Sequence, residues 1–174
     1  MYVIDANCLI FAKNYHFQFE RVPQFWSWLQ NKAEADLVKM PIETWSKIGD
    51  YPPDRRDELA EWAIANKDAL ILADRAYDAR FPDVLHQYTQ PDGAALTEAE
   101  TNTVGDDYAL IASALHGGYT VVTDEVSRQS AQRANRKVPD VCADLNVPCI
   151  DLDGRRGGDA LINILDFRVD WDKP

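Results

Sequence analysis

The stretch Gly105-Asp106-Asp107-Tyr108-Ala109-Leu110-Ile111-Ala112-Ser113-Ala114-Leu115-His116-Gly117-Gly118-Tyr119-Thr120-Val121-Val122-Thr123-Asp124 decides the fold class. Tyr108, Ile111, Ala112 and Leu115 share one face at helical spacing, and Gly117-Gly118 supplies a C-terminal stop. Tyr119 to Thr123 then reads as a β-branched strand. Working outward, Tyr2-Val3-Ile4 is a short apolar strand stopped by Asp5, and Cys8 to Phe11 starts a helix. Val22, Phe25, Trp26, Leu29 and Ala33 give a second helix with Pro23 near its first turn. Leu37 to Met40 reads as a strand, followed by a helix from Pro41. Beyond Pro52-Pro53, Leu59, Trp62 and Ala63 mark another helix. Residues 73–102 are the least legible, with short helices around Pro82 and a loop at Pro91-Asp92-Gly93. Pro139 to Leu145 predicts a short helix, Cys149 to Leu152 a strand, and Asp159 to Phe167 a closing helix. Strands alternating with helices predict a three-layer α/β/α sandwich around a central, mainly parallel sheet.

At about 150 residues per domain, 174 residues predict one domain over 1–174. An apolar content of 46% excludes a disordered chain. The longest apolar runs, such as Ala69 to Ala73 and Tyr108 to Ala112, are far short of the roughly twenty residues that cross a membrane. Met1 leads directly into Tyr2-Val3-Ile4-Asp5 without a basic flank, so the reading is cytoplasmic, with no export signal and no membrane partner. Eighteen basic against 29 acidic residues give −11, a surface that repels polyphosphate in general. It counts against a promiscuous nucleic-acid coat and leaves room for a nuclease whose metal site is itself rich in carboxylates. Cys8, Cys142 and Cys149 have no zinc-ligand spacing and read as small buried hydrophobes.

In an open parallel sheet, ligands bind beyond the carboxyl ends of the strands. Asp5 and Asp124 end two strands there, Asp106-Asp107 begin the helix feeding the Val121 strand, and Glu43 opens the helix after the Leu37 strand. Carboxylates gathered in one crevice either protonate or require a cation. Hard oxygen ligands suit Mg²⁺ or Mn²⁺, and the natural chemistry is metal-assisted phosphoryl transfer to water. Single acids also have structural readings: Asp106 completes a capping arrangement with Thr103, Asp107 complements a helix dipole, and Asp124-Glu125 are first-turn acids. His16, His86 and His116 lie in loops or at a helix end and read as surface residues. An aspartate-nucleophile phosphatase would want a second acid two residues after Asp5, where Asn7 stands.

These residues resemble a PIN domain. The likeness is carried by Tyr-Val-Ile-Asp-Ala-Asn-Cys-Leu-Ile at 2–10, Gly-Asp-Asp-Tyr-Ala-Leu-Ile-Ala-Ser-Ala-Leu at 105–115 and Tyr-Thr-Val-Val-Thr-Asp-Glu at 119–125. Lys-Val-Pro-Asp-Val-Cys at 137–142 and Val-Pro-Cys-Ile-Asp-Leu at 147–152 are similar to the tail of a prokaryotic PIN-like subgroup. The resemblance implies a Mg²⁺- or Mn²⁺-dependent endoribonuclease of VapC-like type, the toxin of a toxin–antitoxin pair, leaving 5′-phosphate and 3′-hydroxyl ends. By motif, it implies metal ligands at Asp5, Asp107 and Asp124, with Glu125 an alternative to Asp124. Asn7 and Thr123 fall at polar positions that assist metal or phosphate. The second acid of the pattern falls on Lys47; Glu43, one turn earlier on the same helix face, is the substitute. An ammonium at Lys47 would occupy a site built for a cation, implying weakened metal binding or a non-catalytic PIN module that binds RNA or protein.

Arg128, Arg133, Arg136 and Lys137 form the main basic cluster and are the expected grip on RNA phosphates, with Arg155-Arg156 a smaller one. Trp26, Trp45, Trp62 and Trp171 read as packing residues, whereas Trp28 falls off the apolar stripe and marks an interface. The acidic, aromatic-rich surface suits a basic or amphipathic partner segment, such as an antitoxin, and a homodimer across a two-fold is the default assembly.

Overall fold

The computed structural model describes residues 1–155 and 159–169; the readings of Arg156 and Trp171 lie outside the described residues. Four parallel strands form the sheet: β1 (Tyr2–Ile4), β2 (Val38–Lys39), β3 (Thr120–Val122) and β4 (Cys149–Ile150), in the order β2-β1-β3-β4. Helices cover both faces, so the chain is an α/β protein with a parallel sheet between helical layers. The register pairs Ile4 with Val122 and Val3 with Val121.

Period-two alternation divides the interior into two cores. Ile4, Val38, Met40 and Val122 face a core built with α1 (Ala6–Phe11), α2 (Pro23–Glu34), α3 (Ile42–Gly49) and α4 (Glu58–Ala65). Val3 and Val121 face the other, with α6 (Phe81–Tyr88), α8 (Asp107–Gly117) and α9 (Val138–Asp144). Between these elements lie α5 (Lys67–Leu70) and α7 (Glu98–Val104). Gly118, in the left-handed region at φ 65°, ends α8 and turns the chain into β3, a conformation that costs glycine little.

Several expectations are corrected. The apolar run after Ala69 supplies a parallel bridge: Ile71 pairs with Met40, extending the sheet beyond β2. It escapes periodicity because only a single bridge forms. Trp28 is fully buried; its indole N–H donates to the Leu165 carbonyl at 3.2 Å, and its ring packs on Phe167. It seats the C-terminal segment on the core and marks no interface. The closing helix, α10 (Leu161–Ile164), is shorter than read. The capping box belongs to α7, between Thr97 and Glu100. Thr103 lies inside that helix and donates to the Ala99 carbonyl, so Asp106 is not its capping partner.

Lys39 is the unusual buried cation. Its ammonium donates to the carbonyls of Ala33 (3.1 Å) and Ala69 (2.6 Å) and pairs with Asp36. The positive charge thus meets the carboxyl ends of α2 and α5, where helix dipoles favour it.

Candidate functional site

The acidic edge is built from the ends of β1 and β3 and the start of α8. Asp5 follows the last residue of β1 and caps α1, accepting from the Asn7 backbone N–H at 3.2 Å. Its other oxygen accepts from the Thr123 hydroxyl at 2.8 Å and from the Asn7 amide at 3.3 Å. Only 1% of Asp5 is exposed, and burial pushes its carboxyl above the ordinary range against those hydrogen bonds. Asp106 lends a further upward push and Lys47 a downward one.

The Lys47 ammonium, from the last turn of α3, pairs with the Asp106 carboxylate. Burial alone would push the ammonium down; the hydrogen bond to Asp106 and the fields of Asp106, Asp107 and Asp5 outweigh it and raise it, so it is charged at neutral pH. Gly105 beside it takes φ 58°, a left-handed conformation that favours glycine; a Cβ there would make only ordinary contact with Nζ, at 3.9 Å. Asp107 is pushed up to about 8 by burial, then by the charges of Asp5 and Glu125. Tyr88, fully buried on α6, carries a hydroxyl without a hydrogen-bond partner among the described residues. Burial and the charge of Asp107 push that phenol well up. Tyr88 lies in the segment whose periodicity is weakest, and no sequence signal marks it.

Glu43 and Asp124, two of the predicted acids, take other partners. Glu43 accepts from Arg75 at 2.5 Å and from the Tyr77 hydroxyl at 3.0 Å. Asp124 pairs with Arg155 at 3.0 Å. The register explains it: Asp5 lies level with Thr123, so Asp124 faces the opposite side of the sheet. Glu125, two residues after Thr123, returns to the Asp107 side. It accepts from Lys137 at 3.0 Å and from the Val138 N–H at 2.9 Å.

Three of the four residues expected to grip RNA are committed internally. Arg133 pairs with Asp92 and Glu100 and donates to the carbonyls of Ala94 and Ala95. Arg136 pairs with Asp144 and donates to the Gln87 carbonyl. Lys137 is held by Glu125. Arg128 is exposed, its backbone N–H donating to Asp140. His16, His86 and His116 are exposed.

Two of the acids expected to hold Mg²⁺ or Mn²⁺, Glu43 and Asp124, have basic partners in this structure. Among the described residues no three His, Cys, Asp or Glu side chains gather as a metal set would. The two acids meant to complete the set are bonded to Arg75 and Arg155, and an ammonium already neutralises Asp106. Among the described residues, no helix is long and apolar enough to cross a membrane.

No curated protein and no solved structure matches the chain. A family model described as a domain of unknown function (DUF4411) matches residues 2–154. The chain therefore belongs to the DUF4411 family.

Proposed function

We propose that this chain is a PIN-like scaffold whose acidic edge is neutralised from within, working as a non-catalytic module that binds a basic or amphipathic protein segment. The carrying observation is the Lys47–Asp106 ion pair, with its ammonium also in the fields of Asp5 and Asp107. A fixed monovalent charge repels a divalent ion and supplies neither a Lewis acid nor an activated water. A net charge of −11 and the internal pairing of Arg133 and Arg136 favour a basic protein over RNA as the partner.

A second reading, the metal-dependent endoribonuclease and toxin of a toxin–antitoxin pair, is favoured by one observation. Lys47 does not cancel all the negative charge, since Asp107 is still pushed up to about 8. The two readings separate on cleavage of a panel of structured RNAs with and without Mn²⁺. The module reading expects no Mn²⁺-dependent cleavage by the wild type. Cleavage that disappears in Asp5→Asn would overturn it in favour of the nuclease.

A further inference from the structure

On the Asp124 side of the sheet, two open cavities adjoin beside β4, the strand at the sheet's edge. The larger, about 410 Å³, has Val126, Pro139 and Ile150 as apolar walls and carries Asp151 and Asp159. Its volume falls in the roughly 300–1,000 Å³ range of ligand pockets. The smaller, about 160 Å³, shares Val126 and Asp151 and adds Phe11, Asp124, Asp153 and Arg155. The Arg155 guanidinium sits there, its carbon 3.9 Å over the Phe11 ring, its Nη2 3.0 Å from Asp124 and its Nε 2.6 Å from Asp153. An aromatic face with carboxylates at two of the guanidinium nitrogens recognises an arginine side chain and suits an ammonium poorly. The Arg155 side chain is 37% exposed, against 12% for Asp124 and 9% for Asp153, so the acceptors belong to the wall and the cation is the part that can exchange.

We propose that this groove docks a partner-protein segment carrying an arginine beside an apolar residue, and that Arg155 holds the arginine's place until the partner displaces it. The inference rests on the reading of the chain as a module for a basic segment, and it names the surface and the side chain recognised. The partner's guanidinium takes the Phe11 face and the carboxylates of Asp124 and Asp153. Its apolar neighbour lies against Val126, which is 65% exposed, and against Pro139 and Ile150. Charge complementarity selects this occupant: the described lining residues include the carboxylates of Asp124, Asp151, Asp153 and Asp159. A net charge of −11 disfavours both RNA and a second copy of this chain. Arg155 competes from within, and a partly exposed pair of this kind shifts a binding equilibrium by about fivefold.

The test titrates a blocked Leu-Arg-Leu peptide, and its Leu-Lys-Leu counterpart, into the isotopically labelled full-length protein and follows backbone amide shifts by NMR. Arg155→Ala, which clears the Phe11 face, should bind the arginine peptide saturably, about fivefold more tightly than the wild type, with shifts at Val126, Ile150 and Asp153. The lysine peptide should bind that variant more weakly. Adding Phe11→Leu or Asp153→Asn to Arg155→Ala should remove most of the binding. The proposal is overturned by no saturable shift in Arg155→Ala, by equal binding of the two peptides, or by shifts that survive both added substitutions. Dimerisation of Arg155→Ala, or a short oligoribonucleotide shifting the same amides, would also overturn it. Mn²⁺-dependent RNA cleavage by the wild type, measured separately, sinks the module reading and leaves these shifts to be judged on their own.

Discussion

Two strands of the sheet run into an acid at the same edge, yet the two acids meet opposite fates. Asp5 is buried, bonded to Thr123 and coupled to Asp106 and Lys47. Asp124 faces the other side of the sheet and pairs with Arg155, whose guanidinium lies 3.9 Å over the Phe11 ring. One residue of register separates them, because Ile4 is level with Val122 and the acid of β3 arrives one position late. A strand-terminal acid joins an edge site only when the register puts it on the right face.

The strongest way to break this contrast is to remove the cation on the Asp5 side. Lys47→Met leaves the nearly buried Asp106 carboxylate without its counter-ion. Losing one member of a buried pair costs about 3–5 kcal/mol, and since Lys47 is 39% exposed, about 2 kcal/mol is the expected loss in urea unfolding. Asp106→Asn in the same background should recover most of it; a double-mutant cycle with no coupling would contradict the pairing.

The pH dependence of stability sharpens the contrast next. Asp107 holds its proton up to about pH 8 when folded, whereas in the unfolded chain it ionises near its ordinary 3.8. Between those values the folded state binds the extra proton, so this group's stabilisation is present at acid pH and is lost as pH rises towards 8. Its limiting slope is about 1.4 kcal/mol per pH unit. Asp107→Asn should flatten that segment of the stability profile, and an unchanged slope would contradict the assignment.

Smaller effects of opposite sign follow at the two strand ends. Asp5→Asn keeps one oxygen to cap α1 through the Asn7 N–H and turns an amide NH₂ to the Thr123 hydroxyl, which then accepts instead of donating, while removing a disfavoured buried charge. It should raise stability at pH 8 by about 1 kcal/mol. Asp124→Asn weakens the ion pair with the partly exposed Arg155 and should lower stability by no more than about 1 kcal/mol. Thermal melts of both variants check the signs; destabilisation by Asp5→Asn would contradict the charge argument.

The sheet and most helices were legible because their signals are local: apolar strands at β1 and β3, Pro23 opening α2, and Gly118 closing α8. Asp5 and Asp107 were named by the rule that sites form at strand carboxyl ends, and Thr123, which bonds Asp5, by the PIN resemblance. What stayed hidden depends on tertiary register and on side-chain partners. Asp124 and Glu125 are adjacent in sequence and equally acidic, and only the pairing of Ile4 with Val122 assigns them to different faces. Arg133 and Arg136 read as part of a free basic cluster because their acids, Asp92, Glu100 and Asp144, lie 8 to 41 residues away. Trp28 left the helical stripe for a similar reason, since its partners Leu165 and Phe167 come from the far end of the chain.

The central claim is that Lys47 already supplies the positive charge at the acidic edge, and a calorimetric titration of Mn²⁺ tests it most directly. The wild type is expected to give no saturable heat, whereas Lys47→Glu, which places a carboxylate beside Asp106 and Asp107, should bind Mn²⁺ and gain thermal stability with it. Stoichiometric Mn²⁺ binding by the wild type, abolished in Asp5→Asn, would contradict the claim.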